Sequence, residues 1–104
     1  MATNPYDYQK KCIGEAVSIL ISLRLPREER ISGAMEEFRH AFGNSTPSGE
    51  ALTYYLRIKE IMGDGPTRER ISTLTDANLS LLSEAFWELD RKVQRAYYEA
   101  EHGK

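Results

Sequence analysis

The chain has 104 residues, 40% hydrophobic and 29% charged, and its sixteen acidic and fourteen basic side chains leave a net charge of −2. That length suits one domain spanning residues 1–104, and the composition is globular rather than disordered. The basic excess that drives phosphate neutralisation and counterion release is missing, which argues against nucleic acid as a partner.

Asn4-Pro5 combines a capping side chain with proline at a first helical position and predicts a helix from there to about Arg24. Its apolar residues, among them Tyr8, Cys12, Ile13, Ala16, Val17, Ile19, Leu20 and Leu23, cover more than half the circumference. Such a helix is expected to touch two or more neighbours. The stretch from Cys12 to Leu23 falls short of the ~20 apolar residues of a membrane span and contains Glu15, so no membrane partner is expected. Asp7 before it and Arg24-Leu25-Pro26-Arg27 after it do not fit a targeting signal. Cys12, the lone cysteine, cannot form an internal disulfide, which favours a reducing, cytoplasmic setting. Inside an apolar stretch it is expected to pack rather than react.

Pro26 opens a second helix that runs to about Gly43, with a stripe of Ile31, Ala34, Met35, Phe38, Ala41 and Phe42. Gly43-Asn44-Ser45 reads as a loop. Thr46-Pro47 repeats the cap-plus-proline signal and predicts a third helix, ended by Gly63, with Ala51, Tyr54, Tyr55, Ile58, Ile61 and Met62 on one side. Asp64-Gly65-Pro66 reads as a turn and Pro66 to Leu74 as a short helical prelude. Thr75-Asp76 then caps a final helix reaching about Glu101, in which Leu79, Leu82, Phe86, Leu89, Val93, Ala96 and Ala100 recur as a heptad seam. The fold expected is all-α: a four-helix bundle-like domain with a long C-terminal heptad helix. Its core is predicted to contain Ile13, Val17, Leu20, Phe38, Phe42, Tyr55, Ile58, Leu82, Phe86, Leu89 and Val93. The echo between Pro26–Ser32 and Pro66–Ser72 is explained by common helix-start chemistry.

Several patterns invite a chemical interpretation. Glu37-Phe38-Arg39-His40 and Glu99-Ala100-Glu101-His102 have the Glu-x-x-His spacing of di-iron bundles, with Glu15 and Glu60 as candidates for the remaining carboxylates. Metal ligands must point along the apolar stripe, and these residues lie off it, so no metal is expected. Gly43 to Glu50 has the glycines of a phosphate loop, but a glutamate stands where the lysine belongs and no strand precedes it. Thr46 and Ser48 could serve a generic anion site, although ordinary capping accounts for them. With His40 and His102 both expected exposed, no nucleophilic triad is expected. Neither an enzyme nor a cofactor is expected.

On the last helix, Trp87, Arg91, Gln94 and Tyr98 follow one another at spacings of four, three and four. They are candidate partner-binding residues, since tryptophan, tyrosine and arginine dominate binding hot spots. The same strip could instead be a second buried edge of a wide core face, with Arg91 snorkelling over it. The six tyrosines come as the close pairs Tyr6/Tyr8, Tyr54/Tyr55 and Tyr97/Tyr98. The expected function is a non-enzymatic protein–protein interaction module, such as an adaptor, inhibitor or regulator. It is expected to form a homo-oligomer, most simply a dimer around the last helix, because that helix at ~39 Å outruns the ~24 Å of the second and third helices, and the first extends their cover without reaching the strip at Trp87 and Tyr98. The alternative is a binder for a phosphorylated metabolite or nucleotide, combining tyrosine stacking with Arg27, Arg30, Arg68 and Arg70.

Overall fold

The computed structural model describes residues 4–43 and 45–102, and contains five α-helices and no strand among them. They are α1 (Asp7–Leu20), α2 (Arg27–Ala41), α3 (Glu50–Met62), α4 (Thr67–Thr73) and α5 (Asp76–Glu101). The all-α class follows directly, and none of these helices is long and apolar enough to cross a membrane.

Local chemistry sets several boundaries where the sequence placed them. The Thr75 side chain accepts from the Asn78 N–H at 3.0 Å, capping α5. Gly63 ends α3 at φ +75°, where its N–H donates to the Lys59 carbonyl at 2.7 Å and a side chain would strain the backbone. Pro26 and Pro66 each stand immediately before a helix, and the core isoleucines that follow, Ile31 and Ile71, are both buried.

Three expectations need correction. The first helix starts at Asp7, not Pro5, because the Asn4 side chain closes a preliminary turn by accepting from the Tyr6 N–H at 2.9 Å. It also ends at Leu20 rather than Arg24. Beyond Leu20 none of the described helices covers an apolar face: Ile21 is 68% and Leu23 91% exposed, and the chain turns towards Pro26. Thr46-Pro47 does not open α3. Residues 45–48 are irregular, and the reversal is made at Gly49, with φ +64°. Asn44, assigned to the preceding loop, lies outside the described residues.

α1 packs against two neighbours, α2 and α5, as its broad apolar surface requires. Gly33 of α2 approaches Ile19 so closely that an added methyl would sit 3.1 Å from it, while Gln9 reaches Ser45 at 3.3 Å. These contacts make α1 and α2 antiparallel. At the other seam Asn4 donates to the Tyr97 carbonyl at 3.0 Å and to the Glu101 carboxylate at 2.8 Å, and Gly14 faces Asp90. α1 is therefore antiparallel to α5 as well. α3 lies along α5, with Glu50 beside Lys92 at 3.6 Å and Arg95 at 3.8 Å.

The core draws on every helix. Ile13, Ile31, Ile58, Leu82, Phe86 and Leu89 are completely buried. Among the residues expected in the core, only Val17 and Tyr55 fall short of burial, and both pack against it from its edge. Phe38 stands at the aromatic centre, its ring 5.5 Å from Phe42, 5.3 Å from Tyr55 and 5.8 Å from Phe86. α2 and α3 do not pack backbone to backbone; α4 is wedged beside both. Arg27 donates to the Leu74 carbonyl at 2.7 Å and Arg70 to the Ile61 carbonyl at 2.7 Å, so charged side chains secure this short helix.

Candidate functional site

α5 is amphipathic in a way that defines a surface. Leu82, Ala85, Phe86, Leu89 and Val93 are buried along its inner face. At 100° per residue, Trp87, Arg91 and Tyr98 fall roughly opposite them. Trp87 is 52% and Tyr98 54% exposed, and Arg91 is exposed between them, engaged in no ion pair among the described residues. Trp87, Arg91 and Tyr98 are therefore not sealed into the core as a second buried edge. Gln94 differs from the other three: it is half-buried, and its amide donates to Asp90 at 2.9 Å. The C-terminal end of the strip is extended by His102, whose ring stacks over Tyr98 with centroids 6.3 Å apart. Neighbouring helices cover the inner face and flanks of α5 but not this one, on which Ser80 and Glu84 also lie exposed.

The Glu-x-x-His pairs do not come together. His40 lies 4.0 Å from Glu37, but its side chain is 52% exposed; Glu99 pairs instead with Arg95 at 3.7 Å. Among the described residues no three histidine, cysteine or acidic side chains are grouped as a metal would need. Of the four arginines considered for phosphate, Arg30 is half-buried on α2. Arg27 and Arg70 are spent on backbone carbonyls, while Arg68 lies exposed on α4.

Cys12 is buried between α1 and α2, as its apolar setting predicts. Burial pushes its thiol above the ordinary range; hydrogen bonding to Tyr8 opposes this and the neighbouring Glu37 carboxylate reinforces it. A buried, protonated thiol is a poor nucleophile. Tyr8 is raised too, chiefly by its hydrogen bond with Cys12.

The feature that sequence reasoning missed is a cleft where α2 and α3 diverge, with a volume of about 410 Å³. Phe38, Phe42 and Tyr55 form its aromatic floor, Met35 and Met62 flank them, and Arg39 and Lys59 stand on its two walls. The Gly63-Asp64-Gly65 turn and Thr67 close one end. Every apolar member was visible as part of a core stripe; nothing in the pattern showed that the two stripes would splay. The available signal was the placement of Arg39 next to Phe38 and of Lys59 one turn after Tyr55.

No protein-family model matches the sequence, and no curated protein or solved structure matches it either.

Proposed function

We propose that this chain is a non-enzymatic protein–protein interaction module, an adaptor, inhibitor or regulator, whose docking surface is the outer face of α5. In this proposal α1, α2, α3 and α5 make a four-helix bundle-like body, the heptad side of α5 forms its seam, and α4 acts as a strut. The observation that supports it is the half-exposure of Trp87 and Tyr98 on one face of a helix whose opposite face is sealed. Large aromatics left in water beside an arginine are the residue set that anchors interfaces.

The first partner proposed is a second copy. If two α5 helices pair antiparallel about a two-fold axis between Trp87 and Glu88, Glu84 of each faces Arg91 of the other. Ala77 then faces Tyr98, Ser80 faces Arg95, and the two Trp87 rings meet near the axis. Such a contact is self-complementary, as a two-fold interface must be. With aromatics at its centre and polar residues around them, it suits a reversible dimer rather than an obligate one.

Light scattering across micromolar concentrations tests this directly. Glu84→Arg and Arg91→Glu should each weaken the dimer at least tenfold, and the double reversal should restore much of the loss. A monomer mass at every concentration rules the dimer out. Association insensitive to both reversals places its interface elsewhere.

A further inference from the structure

We infer that the cleft between α2 and α3 is a binding site for a small planar aromatic carboxylate. The inference is independent of the α5 surface. Its first support is shape. At about 410 Å³ the cleft falls within the range of small-molecule sites, roughly 300–1,000 Å³, and it is a cleft because α2 and α3 make no direct backbone packing.

The second support is the floor. Phe38 and Tyr55 stack with centroids 5.3 Å apart and an interplanar angle of 24°, and Phe42 meets Tyr55 edge-on at 5.2 Å and 79°. Phe38 packs on the buried Phe86, and Phe42 and Tyr55 pack on Phe38, so the floor is anchored in the core and does not have to assemble around a ligand. A flat apolar body can stack or lie edge-on against them without ordering new side chains.

The third support is charge placement. Lys59 holds its ammonium 5.6 Å from the centre of the Tyr55 ring, over the floor, and Arg39 on the opposite wall donates to the Thr67 hydroxyl at 3.1 Å. Both cations lie near helix C-termini, where they also oppose the helix dipole. Dipole compensation alone, however, would not require an ammonium above an aromatic floor or a guanidinium reaching across to α4. Neither side chain has a carboxylate partner among the described residues, Asp64 at the mouth included. Lys59 and Arg39 thus keep donors for one carboxylate, poised above a surface that takes an aromatic ring.

Amide NMR with two probes of matched shape, 2-naphthoate and 2-naphthylmethylamine, tests the inference. The carboxylate should give saturable one-to-one shifts confined to residues 35–43 and 55–67 at millimolar concentration or below, and the amine should bind at least tenfold more weakly. Lys59→Gln combined with Arg39→Gln, two exposed changes that leave the core intact, should lower naphthoate affinity about tenfold. Trp87→Ala should leave it unchanged. Absence of saturable shifts, equal binding of amine and carboxylate, or naphthoate affinity unaffected by the paired glutamines would each overturn the assignment.

Discussion

The two faces of α5 carry residues at much the same spacings of three and four and have opposite fates. Leu82, Phe86 and Leu89 are wholly buried along one, while Trp87, Arg91 and Tyr98 stand in water along the other. Spacing alone therefore does not decide burial. What decides it is the packing of neighbours: α1 and α3 flank α5, α2 closes over it through Phe38, and none of the described helices lies on the outer side. The apolar residues along the inner face are a folding requirement. Trp87 and Tyr98 on the outer face are only about half covered.

The largest effect should come from the inner face. Phe86 has no exposed surface and touches Phe38 at the aromatic centre, so Phe86→Ala removes a large ring and leaves a cavity. We expect a loss of about 3–5 kcal/mol in unfolding free energy, measured by denaturant titration. An unchanged midpoint would mean that the two faces are assigned the wrong way round.

At the start of α5, Thr75→Ala deletes the one side-chain cap seen among these helices. It should cost about 1 kcal/mol. The comparison is sharpened because this loss comes from helix formation alone, without touching either face. Thr75→Ser should recover most of it.

Burial on α1 gives a smaller, pH-dependent contrast. The thiol of Cys12 is raised above its ordinary value by burial, so the fold prefers it protonated. The associated stability is complete below the unfolded thiol pKa and is lost as pH rises through the folded value. Unfolding midpoints should therefore decline from about pH 8.5 upward, the ordinary thiol range. Cys12→Ala should remove that decline. The same slope in the variant would assign it to other groups.

How much of this was legible depends on whether the cause was local. Thr75 acts through its side chain on the adjacent backbone, and Gly63, Pro26 and Pro66 through their own backbones, and they mark α5, α3, α2 and α4 at the places expected of them. The core stripes were legible for a related reason, since helical periodicity fixes which residues share a side. The early end of α1 at Leu20 was not, because Ile21 and Leu23 continue the apolar pattern and only the lack of a neighbour exposes them. Thr46-Pro47 had the chemistry of a helix start but was overruled by the reversal at Gly49. Within the candidate surface, the Trp87, Arg91 and Tyr98 alignment was visible, whereas its exposure and the Gln94–Asp90 hydrogen bond required the packed molecule. The α2–α3 cleft was invisible for the same reason: it arises from how two helices diverge.

The smallest expected effect on stability is the most informative about function. Replacing Trp87 and Tyr98 together by alanine removes two half-exposed rings that contribute no fully buried surface. The unfolding free energy of the monomer should move by no more than about 0.5 kcal/mol, the usual range for surface substitutions. Association should nevertheless be lost, because Trp87 is the proposed centre of the interface and Tyr98 its outlying anchor against Ala77. Trp87 is the only tryptophan, so its fluorescence reports on this surface without labelling. Emission from the wild-type chain should shift to the blue as concentration rises and the indole leaves water, whereas Tyr98→Ala, which keeps the reporter, should show little shift. A large drop in monomer stability would make the outer face part of the fold after all, and a concentration-independent spectrum with an intact dimer would move the interface off α5.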